Sequence, residues 1–380
     1  MISKILILSY SNLKNDARVL RQILALKDIY EVYACGLESP EIEGVHFISI
    51  YKSPPFSVRR KVNRLITKLK NDLENWYWNV TRINIVEELS LINFDVVIAN
   101  DINTLPIASK LAELGLSKVY YDAHEYSARE FEHDQKWVKT KKPLIDFLCE
   151  KYIPKTNYCT TVSFGLAQEY KTNYNTHFDV VMSAAFYESE LKPSSTEPEK
   201  IRMIHHGIAI PMRKLEDLKG VLALLDDRFT IDLMLVPKDQ EYFDKIVELY
   251  KREPKVNIIS PVKPMEISAF INGYDIGFNY IPPINFNYLH ALPNKIFDFV
   301  QARLAIAIGS SPEMATFIKK YDLGIVGKSF KPEDLANSLN SLTSEKIDHY
   351  KKQAHKYAKE LSEVESRKQI QSSVANLIQN

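Results

Sequence analysis

The feature that most narrows the fold is an alternation of short, continuous apolar runs with longer stretches of helical periodicity. "KILIL" at Lys4–Leu8, "DVVIA" at Asp95–Ala99 and "LAIAI" at Leu304–Ile308 carry no polar residue at every second place. Runs of that kind suit strands buried on both faces, as in parallel sheets covered by helices. Similar runs lie at Glu31–Cys35, Val45–Ile50, Lys118–Tyr121, Asn157–Val162 and Asp179–Met182. They recur at Ile201–His205, Thr230–Val236, Val256–Ile259 and Asp275–Asn279. Helical patterns fall between them, at Asp16–Lys27, Leu105–Leu114, Leu215–Leu225, Gln240–Lys251 and Asn294–Gln301. The pattern predicts an α/β chain built from Rossmann-like, doubly wound parallel sheets.

A chain of 380 residues is long for one average domain. The polar stretch "YESELKPSSTEPEK", Tyr187–Lys200, is the best break, and a fresh strand pattern follows it. The expected domains are 1–190 and 198–364, with a helix at about 365–380 packing back on the first. Ligands of parallel sheets bind outside the carboxyl ends of the strands, so two such domains are expected to face each other across a ligand cleft.

Composition removes several classes of function. Lys and Arg total 49 against 48 Asp and Glu, a formal charge of +1, so no global field favours nucleic acid. Cys35, Cys149 and Cys159 have neither metal-ligand nor redox-pair spacing. Histidine pairs at ligand spacing, an Asp-x-Asp after a strand, a G-x-S-x-G elbow, a P-loop and G-x-G-x-x-G are all absent. Neither a bound metal nor another cofactor is expected. The start "MISKILILSYSN" lacks the form of a signal peptide, and no run reaches the roughly 18 apolar residues of a membrane span. The expected location is the cytoplasm. Residues 57–79 combine a basic amphipathic pattern with Trp76, Tyr77 and Trp78, which fits either contact with the inner face of a membrane or packing on the domain core.

Several strand ends carry chemistry. After the first strand come Ser11 and Asn12, then a helix capped by Asn15 or Asp16, with Arg18 one turn in as a wall residue of the cleft. Asn100 and Asp101 end the Asp95–Ala99 run as further wall residues or as a turn and cap. "YYDAHEY" places Asp122, His124 and Glu125 at the next strand end. There His124 suits proton transfer or hydrogen-bond donation, with Asp122 or Glu125 fixing its tautomer. In the second half, "HHGIAIPMRKLEDL" sets Gly207 at a turn and Arg213 and Lys214 ahead of a helix, where they suit a diphosphate. In "LPNKIFDFVQARLAIAIGSSPEM", Asn294 caps a helix and Lys295 sits in its first turn. A cation there is electrostatically unfavourable unless an anion binds beside it. Asp298 shares the face of Lys295 and can accept from ribose hydroxyls, or simply pair with it.

These segments, with "NDARVLRQILAL" and "ANDINTLPIASKLAELGLSKVYYDAHEY", resemble glycosyltransferases of the two-domain GT-B type. The likeness is to the family-4-like group that builds bacterial surface polysaccharides, and it spans nearly the whole chain. It implies a nucleotide-sugar donor, UDP favoured, and transfer to a growing glycan or lipid-linked acceptor with retention and without metal. Arg213, Lys295 and Glu313 would serve the donor diphosphate, with Met314 nearby. Asp298, His290 and Asn294 would serve the ribose and sugar, and His124 would lie near the reacting sugar. The chain departs from the group at one place: His290 and Asp298 stand where two glutamates are usual, eight positions apart. A catalytically silent partner protein and a sugar-nucleotide epimerase on the same architecture stay open on this reading.

Overall fold

The computed structural model describes residues 2–50, 72–115, 117–280 and 282–379. They form two compact units, residues 1–181 with 367–380, and residues 182–366. In the first unit β1 (Lys4–Leu8), β2 (Glu31–Gly36), β3 (Val45–Ser49), β4 (Val96–Asn100), β5 (Lys118–Ala123), β6 (Tyr158–Thr161) and β7 (Asp179–Val180) make one sheet. Its order is β3-β2-β1-β4-β5-β6-β7, with parallel pairing throughout. The second unit repeats the plan with β8 (Ile201–Ala209), β9 (Phe229–Pro237), β10 (Val256–Ile259), β11 (Ile276–Asn279), β12 (Ala305–Ile308) and β13 (Gly324–Val326). Its order is β10-β9-β8-β11-β12-β13, again parallel. Strand order reverses beside β1 and β4 in one sheet and beside β8 and β11 in the other. Those are the places where a parallel sheet opens a crevice at its carboxyl edge.

The elements follow from the sequence. Asp16 starts the helix Ala17–Leu26 by accepting from the backbone N–H groups of Arg18 and Val19. Val19, Ile23 and Leu26 then fall on one face and are buried against Ile5, Ile7, Val32, Val96 and Ile98. Each such side chain contributes about 1.5–3 kcal/mol when fully buried. In the second unit the helix Asn294–Gln301 lies on the sheet through Ile296, Phe297, Phe299 and Val300. Gly277 permits that approach: a Cβ there would stand 2.2 Å from Phe299 Cγ. The seating of this helix fixes where Lys295 points.

One boundary differs from expectation. Residues 182–200 are not a linker but part of the second unit. Ala184 belongs to its core, and Arg303 Nη2 donates to the Glu188 carbonyl at 2.5 Å. The fully buried Lys351 ammonium donates to Ser194 Oγ at 2.9 Å and to Asp275 Oδ1 at 3.0 Å. Pro and Ser enrichment reads as a flexible tether, whereas here the polar groups are taken up by buried partners. At the other end, Ile370 and Val374 of the helix Glu363–Gln379 enter the core of the first unit. Gln371 donates there to the Ala25 carbonyl at 2.7 Å.

Of the basic amphipathic stretch, residues 57–71 lie outside the described residues. Its aromatic end is partly internal: Tyr77 is buried and donates to the Asn103 carbonyl at 2.7 Å. Among the described residues no helix is long and apolar enough to cross a membrane.

Candidate active site

In the first unit the chemistry gathers where β4 and β5 end. Asp122, the next-to-last residue of β5, is 1% exposed. Arg18 grips it twice, Nε to Oδ2 at 2.6 Å and Nη2 to Oδ1 at 2.5 Å. Gln22 Nε2 donates to Oδ2 and Thr160 Oγ1 to Oδ1, each at 2.6 Å. Burial opposes the charge of Asp122, but the Arg18 and His124 partners outweigh it and hold the carboxyl well below the usual carboxylate range. A carboxylate saturated by four donors is not available for proton transfer. Asp122 is a buried counterion of Arg18, and its Oδ2 also faces His124 Nε2 at 3.6 Å. Arg18, expected on a cleft wall, is turned inward to make that pair and also donates to the Val181 carbonyl at 3.1 Å.

His124 follows directly, its side chain 22% exposed. Nε2 lies 3.1 Å from Asn100 Oδ1 and 3.6 Å from Asp122 Oδ2, and Nδ1 lies 3.6 Å from Asp101 Oδ2. Asp101 is held in the left-handed region, φ +64°, which L residues adopt only when the surroundings demand it. Its N–H donates to the Asp122 carbonyl at 3.0 Å, and its Oδ1 accepts from the His124 N–H at 3.3 Å. Burial pushes the imidazole down, but Asp101 and Asp122 outweigh it and hold the pKa above the usual range. Of the two groups expected to fix the tautomer, Asp122 faces Nε2, whereas Glu125 is exposed in the following loop; Asn100 and Asp101 flank the ring. Glu130, in the next turn, has its carboxyl pushed up to about 8, by burial first and then by Glu125 and Asp101. Ser11 and Asn12 serve local structure: Ser11 Oγ meets Ser9 Oγ at 2.8 Å, and Asn12 accepts from the Lys14 N–H at 3.1 Å.

In the second unit the centre is Lys295, 8% exposed in the first turn of its helix. Its ammonium makes no hydrogen bond or ion pair with a described residue. Burial pushes its pKa well below the usual value, the charge of Arg213 adds to this, and Asp298 opposes it. Gly207 makes room, since a Cβ there would lie 3.3 Å from Nζ. Gly207 is not the turn expected at a strand end. β8 continues through it to Ala209, with φ +149° at the glycine. Arg213 ends the short turn Pro211–Arg213, and its guanidinium lies 5.1 Å from the Tyr288 ring centre. No carboxylate among the described residues pairs with it.

His206 and Asp298 act electrostatically with Lys295, and His290 and Glu313 form a second pair in the same unit. His206 Nε2 is buried without a hydrogen bond, 3.5 Å from Asp298 Oδ2. His290 packs on Phe286 with ring centres 4.5 Å apart, and its buried Nδ1 lies 3.7 Å from Glu313 Oε1. Glu313 sits in the first turn of the helix Pro312–Tyr321. Asn294 is exposed and is the first helical residue rather than the cap, which is Pro293. Met314 is buried, with its sulfur 3.2 Å from Asn279 Nδ2. Tyr288 and His206 were not anticipated, although "NYLH" and "HHG" display them in the right segments.

The paired histidines set a pH limit. Burial, then the charge of Lys295, pushes His206 down to about 3, and His205 is pushed well below its usual range for the same reasons. Unfolding lets both rings protonate near the usual 6.5, so the unfolded chain binds more protons below that pH and stability falls as pH drops from about 6.5 towards about 3. A urea midpoint that decreases across that interval, and decreases less in His206→Gln, is the expected result. Equal slopes would contradict the assignment.

The chain matches no protein-family model and no curated protein. Solved structures do match it over nearly its full length. HepE from Anabaena, in complex with UDP-glucose, superposes with a TM-score of 0.71 at 13% identity, covering 98% of this chain and 99% of that one. The fold is GT-B. A glycosyltransferase from Rickettsia africae gives 0.72 at 13% identity, over 100% and 99% of the two chains. Sucrose-phosphate synthase from Thermosynechococcus elongatus gives 0.74 at 9% identity, over 99% of each. Identities this low speak for the GT-B fold and leave the chemistry to the site.

Proposed function

We propose that this protein is a glycosyltransferase that takes a sugar from a nucleotide-diphosphate donor, UDP-linked by preference. The observation that carries the reading is the Lys295 ammonium: nearly buried, without an ionic partner among the described residues, and electrostatically coupled to Arg213. Two adjacent cations that repel each other are costly in an empty site and favourable around a diphosphate. HepE, which shares the fold, binds UDP-glucose. In this reading Lys295 and Arg213 neutralise the diphosphate and the charge that grows on the leaving group, without a divalent ion. Asp298, with His206 beside it, accepts from the ribose. His290 and Glu313 line the sugar end, and His124 serves the transferred sugar as a hydrogen-bond donor. The acceptor is a growing glycan or a lipid-linked saccharide of a bacterial surface polymer, the reaction retains anomeric configuration, and the enzyme works at the inner face of the membrane.

Thermal-shift screening of UDP, GDP, UDP-glucose and GDP-mannose, each with and without EDTA, tests the donor reading. UDP compounds are expected to raise the midpoint by several degrees, EDTA to leave the shift intact, and turnover to require an added saccharide acceptor. No shift with any nucleotide would overturn it, and turnover without acceptor would point to an epimerase.

A further inference from the structure

Asp122 carries more than the charge of Arg18. Its Oδ2 receives Gln22 Nε2 at 2.6 Å, and an ionised carboxylate only accepts, so Gln22 must present its NH2 there. The alternative orientation would press two acceptor oxygens together. Gln22 Oε1 therefore faces away from Asp122, and it accepts from Asn100 Nδ2 at 2.9 Å. That fixes the Asn100 amide in turn: its Oδ1 accepts from Gln22 Nε2 at 3.0 Å and faces His124 Nε2 at 3.1 Å. A carbonyl oxygen only accepts, so Nε2 must carry a proton. Gln22 and Asn100 are 2% and 1% exposed, so bulk water does not compete for either amide. Each link forces the next.

We propose that Gln22 and Asn100 are positioning residues: a buried amide relay that transmits the acceptor character of Asp122 to His124 and keeps a proton on Nε2. With Nε2 protonated, an unprotonated Nδ1 would aim its lone pair at Asp101 Oδ2, 3.6 Å away, so the second proton is favoured as well. The charged groups acting on the ring are Arg18 from the helix Ala17–Leu26, Asp122 from β5 and Asp101 from the end of β4; Glu125 follows in its own loop. His124 thus acts as a hydrogen-bond donor rather than as a base at Nε2. Its part in sugar transfer rests on the function proposed above, whereas the relay itself does not.

The test reads the ring directly. Long-range proton–nitrogen spectra of the full chain labelled with nitrogen-15 histidine report which imidazole nitrogens are protonated, and His124→Gln identifies the signal. In the unsubstituted protein both nitrogens are expected to be protonated below the raised pKa of the ring. At high pH a single neutral form carrying its proton on Nε2 is expected. In Gln22→Met the Asn100 amide loses its orientation, so the neutral form becomes a mixture of tautomers. Adding Asn100→Asp restores the Nε2 proton, because a carboxylate accepts whichever way it turns. A neutral form protonated on Nδ1 in the unsubstituted protein would overturn the proposal with no variant needed. An unchanged tautomer in a folded Gln22→Met would do the same. Because no nucleotide is present, failure here is separate from failure of the donor screen.

Discussion

Asp122→Ala lowers the stability of the first unit by about 3–5 kcal/mol, the range for removing one partner of a buried ion pair. The loss comes less from the pair's own energy than from what remains. Arg18 stays inside with its guanidinium short of two charge-assisted bonds, and Gln22 and Thr160 each lose an acceptor. A double variant, Arg18→Met with Asp122→Leu, recovers most of the loss because no charge is stranded. Urea unfolding followed by a probe within the first unit measures both. A loss under about 1 kcal/mol in Asp122→Ala would mean that the pair is effectively solvated, and the account of Asp122 as a buried counterion would fail.

Lys295→Met moves two observables in opposite directions. The free protein becomes more stable, because an ammonium with no ionic partner among the described residues leaves a buried position. Nucleotide stabilisation disappears, and turnover falls by about 10²–10³-fold, the usual consequence of deleting one electrostatic stabiliser of the transition state. A lysine whose only work was structural would give the reverse: lower stability and intact nucleotide binding. The folded pKa of Lys295 is depressed, so the unfolded chain binds more protons between that pKa and the usual 10.5. Stability of the free protein therefore rises with pH over that interval. Bound UDP lessens the dependence by supplying the missing anion.

The strands were legible because burial on both faces leaves an uninterrupted apolar run. β13 was missed: its three residues, Gly324, Ile325 and Val326, are half-buried at a sheet edge and too few to form such a run. β8 was cut short at His205 because two histidines and a glycine read as a strand's end. In the structure His206 and Gly207 continue the strand and border Lys295. Lys295 itself stood out as a cation where a helix dipole disfavours one. The ion pair of Asp122 is hidden for the opposite reason. Its partner Arg18 is 104 residues away, and Gln22 and Thr160 come from two further elements, so nothing beside it in sequence shows that it is already satisfied. The same holds for Asp101, whose left-handed backbone no residue pattern announces.

The core of the first unit incorporates Ile370 and Val374 beside Ile5 and Ile7, although some 180 residues of the other unit are threaded between them. On the ribosome the amino-terminal half must therefore wait, incompletely closed, until synthesis has passed position 374. The second unit is contiguous and can finish first. Chaperone dependence should accordingly be concentrated in the amino-terminal half, and a circular permutant that joins 367–380 ahead of residue 1 would let that half mature early.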